Sequence, residues 1–240
     1  IERRAFSDFQ LKGAAGELGF GVLTGFVLMA LSIGIIALLG GYEVTAFRTP
    51  AILLPVLAMT LISSITEEIV MRGIMFRFIE MALGSWIALA LSAILFGAMH
   101  MGNPNSSWLA AGAIALEAGV MLAAIYMVTR RLWAAIGIHA GWNFSQAGIF
   151  GVPVSGIKLP GLLVSNIQGD ALISGGTFGA EASLPALIIC TVTGLLFLTF
   201  AIKRGQVVRA SWKRLAAPCP TDADLQIEKS AALAEHRAKD

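Results

Sequence analysis

PAILLPVLAMTLISSITEEIVMRGIMFRFI, residues 50–79, is an apolar run that contains two adjacent glutamates and an arginine. A helix needs roughly 20 consecutive apolar residues to cross the hydrocarbon core of a bilayer, and this run is longer than that. Ionisable groups inside such a run are costly to bury and are usually functional. The stretch therefore predicts a membrane helix that carries part of a functional site.

The whole chain has the composition of a membrane protein. Of its 240 residues, 57% are hydrophobic and only 13% are charged, and the mean hydropathy is +0.79. Six apolar stretches approach the length of a membrane helix, so we expect an all-α fold, a polytopic transmembrane helical bundle with about six to eight membrane helices. The stretches are residues 18–39, 50–79, 85–101, 108–129, 132–150 and 184–202.

The chain divides into one membrane domain and a tail. We expect a transmembrane domain over residues 1–204 and, over residues 205–240, a cytosolic tail that is first basic and then of mixed charge. Residues 151–183 are rich in glycine, proline and polar residues, which argues against a regular span. We expect them to form a long external or re-entrant loop with at most a short interfacial helix.

Basic residues beside the apolar stretches predict the orientation, because cytosolic loops carry an excess of lysine and arginine. When the helices alternate, only Arg48 and Lys158 fall on the non-cytosolic side, so we expect both termini in the cytosol. The formal net charge is only +2 and no basic patch is interleaved with aromatic residues, which argues against a nucleic-acid partner. The cytosolic set is Arg3, Arg4, Lys12, Arg77, Arg130, Arg131, Lys203, Arg204, Arg209, Lys213 and Arg214.

Helix geometry predicts different roles for the two adjacent glutamates. Successive residues of a helix point about 100° apart, so Glu67 and Glu68 are not expected to face the same cavity. Glu68 precedes Arg72 by four positions, which is the favourable order for a helical ion pair. Glu67 is then left without a counter-charge on its own helix, which makes it the candidate general base. The alternative is that both acids only pair with Arg72 or with other helices.

Two histidines and an asparagine provide further polar groups inside apolar stretches. His100 ends the run SAILFGAMH, with Phe96 one turn before it on the same face. His139 and Asn143 are also one turn apart, and their side chains are donors of the type that hold an oxyanion. A rise of about 1.5 Å per residue from the helix ends allows these groups and Glu67 to meet in one layer, nearer the cytosolic face.

Two other features are less specific. Glu117 lies in the apolar run AIALEAGVML, where it can reach a cavity or pair across helices, and we assign it no catalytic role. Gly21 and Gly25 form a GxxxG pattern, which by itself is weak evidence for dimerisation because glycine is common in membrane helices.

Three short motifs on separate helices resemble the CPBP family of intramembrane glutamic endopeptidases, the group of CAAX prenyl protease 2 and the Abi-type proteins. The family carries a double glutamate followed by three residues and arginine, then a phenylalanine and histidine pair, then a histidine and asparagine pair. Here they are Glu67-Glu68-Ile-Val-Met-Arg72, Phe96-Gly-Ala-Met-His100 and His139-Ala-Gly-Trp-Asn143. The similarity covers residues 50–202, and NPN, RRLWAAIGIHAGWNF and SGGTFGAEAS are similar to bacterial members. The group's eight-helix core would require two further spans, in residues 151–183 and at the N terminus, or a break in the second helix.

The resemblance implies a glutamate-dependent endopeptidase that needs no cofactor. In such an enzyme Glu67 and His100 activate a water, while His139 and Asn143 stabilise the oxyanion; Glu68, Arg72 and Phe96 support them. A zinc-dependent version stays open, because Glu67, His100 and His139 offer three ligands and leave a water position. Against zinc, the sequence has no HExxH and few further residues for an outer shell of ligands.

The expected partners are membrane lipid and a membrane-associated peptide or protein substrate, in what the motifs indicate is a bacterial inner membrane. Two other classes of function remain open. One is a non-catalytic membrane immunity or binding protein in which the buried groups only pack. The other is proton-coupled transport, which the absence of an evident internal repeat argues against.

Overall fold

The computed structural model describes residues 8–212, in which helices form a bundle and two short strands pair at one end. The predicted helical fold is therefore confirmed. The predicted tail, apart from residues 205–212, and the basic residues Arg3, Arg4, Lys213 and Arg214 lie outside the described residues. The α-helices are α1 (Ala14–Leu38), α2 (Leu53–Glu68), α3 (Arg77–Leu83), α4 (Ser85–Met99), α5 (Trp108–Ile114), α6 (Val120–Thr129), α7 (Trp133–Phe144), α8 (Ala171–Ser174) and α9 (Leu184–Lys203).

Short segments of other helical type extend these helices. Turns of 3₁₀-helix at Pro50–Ile52 and His100–Gly102 lie at the start of α2 and the end of α4, and another lies at Ala180–Ala182. Three π-helical segments also occur: Ile69–Phe76 joins α2 to α3, Ala115–Gly119 joins α5 to α6, and Ser145–Ile149 extends α7. The predicted second stretch is thus one continuous helix that changes type rather than a broken one.

Five helices among residues 8–212 are long and apolar enough to cross a membrane. Many large apolar side chains on α1, α2, α4 and α9 point outward, as expected when lipid and not water surrounds the bundle. The chain is an integral membrane protein. The candidate spans are Ala14–Leu38, Pro50–Leu83, Ser85–Gly102, Trp108–Thr129 and Leu184–Lys203.

The fifth predicted stretch, residues 132–150, forms α7, which lies at the centre of the bundle. It is enclosed by α1, α2, α6 and the π-helical segment that follows it. The largest buried apolar cluster surrounds α7, with members such as Met29, Leu122 and Ile138. Side chains carried by α7 are therefore held on several sides at once.

Glycine allows α1 and α7 to pack backbone to backbone. A Cβ added at Gly25 would lie 2.2 Å from the carbonyl oxygen of Ile138, and one added at Gly21 would lie 2.8 Å from the Cα of Gly137. Gly141 lies equally close to α1. The GxxxG pattern is thus used for packing inside the chain, where small residues let helices approach closely.

One end of the bundle carries the charged residues predicted to be cytosolic. Asp8 and Arg77 form an ion pair, and Arg130 Nη1 lies 2.5 Å from Glu80 Oε2. Arg131 Nη1 lies 3.0 Å from Glu17 Oε1. These contacts join the beginning of α1 and α7 to the ends of α3 and α6, so the predicted grouping of these basic residues at one end is confirmed.

The opposite end contains a two-stranded antiparallel sheet that the sequence did not predict. Strand β1 (Tyr42–Phe47) pairs with β2 (Leu163–Ile167), which lies inside the predicted loop of residues 151–183. Arg48 Nη1 donates to the carbonyl of Gly161 at 3.0 Å beside the sheet. The loop also contains the short helix α8, and it holds no membrane span. The two additional spans that an eight-helix core would need in this loop and before α1 are absent from residues 8–212.

Candidate active site

The ion pair predicted between Glu68 and Arg72 is present and buried. Arg72 Nη1 lies 2.7 Å from Glu68 Oε1, and the side chains are 1% and 0% exposed. The pair crosses from the last residue of α2 into the π-helical segment. Since breaking a buried pair leaves an uncompensated charge, this contact fixes both side chains strongly.

Arg72 also connects two further elements of the site. Its Nη2 donates to the carbonyl of Ala118 at 2.9 Å, a carbonyl of the π-helical segment before α6. The guanidinium carbon lies 4.6 Å from the centroid of the Phe96 ring on α4, a cation–π contact. The supporting role predicted for Arg72 thus has a clear physical basis, since one cation orders the helices around it.

His139 contacts both glutamates, although the two point in different directions from their helix. Its Nδ1 lies 2.9 Å from Glu68 Oε1, and its Nε2 lies 3.8 Å from Glu67 Oε2. An imidazole has a nitrogen on each side of the ring, so two carboxylates that point in different directions can still meet the same ring. The proton of Nδ1 is directed to Glu68, because an ionised carboxylate only accepts hydrogen bonds.

Glu67 is the more accessible of the two glutamates. Its side chain is 29% exposed, and its Oε1 accepts a hydrogen bond from Ser63 Oγ at 2.8 Å. Ser63 lies one turn earlier on α2 and orients the carboxylate toward His139. A group that water can reach, held beside a buried histidine, has the position expected of a general base.

His100 lies where α4 ends and a turn of 3₁₀-helix begins. Its Nδ1 lies 2.7 Å from the carbonyl oxygen of Phe96, so Nδ1 carries the proton and Nε2 is left to accept one. The Phe96 ring centroid lies 4.9 Å from that of His100 and 6.1 Å from that of His139. Phe96 therefore separates and positions the two imidazoles.

Asn143 lies one turn after His139 on the same face of α7, and Asn143 is 7% exposed. Gly137 and Gly141 occupy the face of α7 that packs on α1, and His139 is about 200° around the helix from Gly137. The predicted pair of donors is thus directed away from the glycine contact.

A cavity lies between these groups. His100, His139 and Asn143 line it, together with Phe96, whereas Glu67 does not contribute to its wall. The cavity offers about 30 Å³ to the centres of water-sized molecules. Since a water needs roughly 10–15 Å³ on this measure, two or so fit. His100, His139 and Asn143 thus surround a small space with room for water, and Glu67 lies outside its wall, in contact with His139.

Two further acidic residues reach this cavity, and sequence reasoning did not identify their role. Glu117 lies in the π-helical segment before α6 and Glu181 in the 3₁₀ turn before α9, and each is 2% exposed. Glu181 Oε1 accepts a hydrogen bond from the backbone N–H of Ser155. Burial raises the pKa of the Glu181 carboxyl to about 7, although that hydrogen bond opposes the rise. In the sequence, the feature that could have pointed to Glu181 is its position within the SGGTFGAEAS segment.

The three possible zinc ligands do not form a metal-holding group in this geometry. Across residues 8–212, no three histidine, cysteine, aspartate or glutamate side chains lie close enough together to hold a metal ion. Glu67 and His100 lie around His139, whose two nitrogens already face carboxylates.

Comparison with known proteins gives one match. Residues 49–145 match the family model described as Rce1-like, type II CAAX prenyl endopeptidase Rce1-like. These residues form a type II CAAX prenyl endopeptidase-like domain. No curated protein and no solved structure matches the chain.

The matched region contains all three motifs on which the resemblance to the CPBP family rests. It runs from the start of α2 through α7, and so includes Glu67, His100, His139 and Asn143. Residues 49–145 are thus similar to the intramembrane endopeptidases of the CAAX type, which supports a protease function. Helix α1, the sheet and α9 lie wholly or partly outside the match, as does Glu181.

Proposed function

We propose that the chain hydrolyses a peptide bond near the cytosolic side of the membrane, with Glu67 and His100 activating a water and His139 and Asn143 stabilising the oxyanion. The observation that carries this proposal is the position of His139. It is bonded to Glu68 through one nitrogen and faces Glu67 through the other, at the wall of a cavity that has room for water.

The attacking water lies between Glu67 and His100 in this mechanism. Glu67 is accessible and oriented by Ser63, and His100 presents Nε2 as an acceptor because Nδ1 is bonded to the Phe96 carbonyl. The water loses a proton to the carboxylate as its oxygen attacks the carbonyl carbon. General base catalysis of this kind contributes roughly 10²–10⁴-fold to rate.

The oxyanion receives hydrogen bonds from His139 and Asn143. The imidazolium form of His139, flanked by two carboxylates, donates from Nε2, and the Asn143 amide donates from one turn further along α7. Donors fixed before the reaction in a space without bulk water stabilise the developing charge most effectively. Glu68 and Arg72 hold His139 for this role and do not touch the substrate.

The substrate class is a membrane-associated peptide or protein that reaches the site from the lipid or the cytosol. Helix α2 packs mainly on α7, and large apolar side chains such as Ile62 are exposed on its outer face. A segment lying in the membrane can therefore approach Glu67 along α2. We place the protein in a bacterial inner membrane with both termini in the cytosol, with lipid and this substrate as its partners and without nucleic acid or a cofactor.

Substitution of the base tests the proposal directly. Purified protein in proteoliposomes is incubated with a prenylated CAAX peptide and with a library of membrane-embedded peptides, and products are identified by mass spectrometry. We expect Glu67→Ala to abolish cleavage while the thermal unfolding transition is retained. Glu43→Ala, which removes an exposed glutamate of β1, is the matched control and is expected to leave cleavage unchanged. Full activity in Glu67→Ala would overturn the mechanism.

A chelator separates the proposed mechanism from a zinc-dependent one. Activity that is unchanged after treatment with a strong chelator is expected here, since Glu67 is the base. Loss of activity, restored by added Zn²⁺, would assign Glu67, His100 and His139 to a metal instead.

A further inference from the structure

Glu117 and Glu181 line the cavity that His100, His139 and Asn143 also line, yet the proposed chemistry gives them no part. They come from different elements, and each is 2% exposed. Buried carboxyl groups outside the known motifs are expensive in a membrane protein and indicate a function.

The two acids lack a cation of their own. The ionisable groups on the cavity wall are Glu117, Glu181, His100, His139 and Cys190. Of these only His139 has a cationic form that its contacts favour, and its two nitrogens already face Glu67 and Glu68. Two neighbouring buried carboxylates with no counter-charge do not both ionise, so the pair holds a proton.

Hydrogen bonds indicate which acid carries the proton. Glu181 Oε1 accepts the N–H of Ser155, as an ionised carboxylate does. Glu117 Oε2 is buried with no hydrogen-bond partner, and Glu117 forms no ion pair among residues 8–212, whereas the equally unpartnered Oε2 of Glu68 belongs to a carboxylate paired with Arg72. Glu117 is therefore the neutral member, and its side chain forms part of the wall of a cavity that has room for water.

We propose that Glu117 is the proton donor of the reaction, protonating the leaving amine of the scissile peptide through water in the cavity, while anionic Glu181 keeps Glu117 protonated. This inference rests on the proposed peptidase function and adds the acid that the base Glu67 requires. Glu67 lies at the edge of the site and Glu117 at the cavity wall, so the two proton transfers occur at different places.

The proton transfers balance over one cycle. Glu67 takes a proton from the water, and the water oxygen forms a bond to the carbonyl carbon. Glu117 gives its proton through a cavity water to the amide nitrogen as the C–N bond breaks, and the electron pair of that bond stays on nitrogen. Glu67 then releases its proton to solvent, Glu117 regains one, and the products are an amine and a carboxylic acid.

Dependence on the leaving group provides the test. The cleaved amide of the prenylated CAAX peptide, located by mass spectrometry, is replaced by an ester, whose oxygen leaves with much less need for a proton. We expect Glu117→Gln to lower kcat for the amide by about 100-fold or more, and kcat for the ester by less than about 3-fold. Glu117→Asp is expected to restore part of the amide activity. Cys190→Ala, at the same wall, is the control and is expected to leave the ratio of the two rates unchanged.

An equal loss on amide and ester in Glu117→Gln would indicate a structural role and overturn the inference, as would no loss on either. Infrared difference spectroscopy tests the proton without relying on cleavage. The wild type is expected to show, beyond any band from partly protonated Glu181, a carbonyl stretch of a neutral carboxylic acid that Glu117→Gln lacks; no difference between the two proteins overturns the inference even if the peptidase is active. If no peptide is cleaved by the wild type, the proposed function fails, and the donor role fails with it.

Discussion

Arg72 is the residue around which the site is organised. It pairs with Glu68, donates to a carbonyl of the segment before α6 and lies over the ring of Phe96. Burying such a pair gives little net stability, because desolvation of both charges offsets their attraction. Its contribution is positional: through Glu68 it determines where the Nδ1 of His139 lies.

Removing one charge of this pair is expected to destabilise the protein and reduce its activity. In Glu68→Gln the Arg72 guanidinium stays buried without its partner, which costs about 3–5 kcal/mol. His139 also loses the carboxylate that orients it, so kcat is expected to fall. Thermal unfolding in detergent and cleavage in proteoliposomes measure the two effects.

Glu43→Gln, the same substitution at an exposed glutamate, is the control and is expected to change neither the melting temperature nor kcat. A melting temperature for Glu68→Gln equal to that of the wild type would contradict the role assigned to the pair.

The sequence predicts the Glu68 and Arg72 pair because it depends only on spacing along one helix. It did not predict that Glu67 and Glu68 both contact His139, since that depends on how α2 packs against α7. Glu117 was noted but given no role, and Glu181 was not considered. Their meeting at one cavity is set by tertiary packing between distant segments, which a single sequence does not show.

At the scale of elements, the three π-helical segments all lie beside polar groups of the site. Ile69–Phe76 contains Arg72, Ala115–Gly119 contains Glu117, and Ser145–Ile149 follows Asn143. Such turns are rare and occur often at functional sites, because they leave backbone carbonyls that other groups bind. The Ala118 carbonyl bound by Arg72 is an example. Apolar stretches predict where these helices lie but not where the helical type changes.

The contact between α1 and α7 is expected to be intolerant of a single methyl group. In Gly25→Ala the new Cβ would lie 2.2 Å from the Ile138 carbonyl oxygen, so the helices must separate. Overpacking of this kind costs about 1–3 kcal/mol. We expect a lower melting temperature and a loss of activity.

Gly34→Ala on the same helix is the control, because a Cβ there meets nothing within 4 Å. It is expected to leave the protein as stable as the wild type or slightly more stable, since alanine favours helix over glycine. Equal melting temperatures for the two variants would show that the close approach is not required.

For the whole molecule, the sequence predicted the helical bundle and the grouping of basic residues at one end, because both follow from composition and alternation. It did not predict the sheet. Strands Tyr42–Phe47 and Leu163–Ile167 are short and lie far apart along the chain, so neither has a local partner that would mark it as a strand. The family match likewise covers the region with the motifs and leaves α1 unassigned.

The proposed orientation can be measured by labelling single cysteines in a Cys190→Ala, Cys219→Ser background, which removes both native cysteines. Lys158→Cys, exposed near the sheet, is expected to react with a membrane-impermeant maleimide in intact spheroplasts. Lys203→Cys, exposed at the charged end, is expected to react only after the membrane is opened. The reverse pattern would place both termini outside the cytosol.

The glycine contact between α1 and α7 also determines how precisely His139 and Asn143 are positioned at the proposed oxyanion site. Helix α7 presents glycines to α1 on one face and His139 and Asn143 to the cavity on nearly the opposite face. Rotation of α7 about its own axis by even one residue position would drive side chains into the backbone of α1. The direction of the two donors is therefore fixed by main-chain atoms, which have far less freedom to rearrange than side chains.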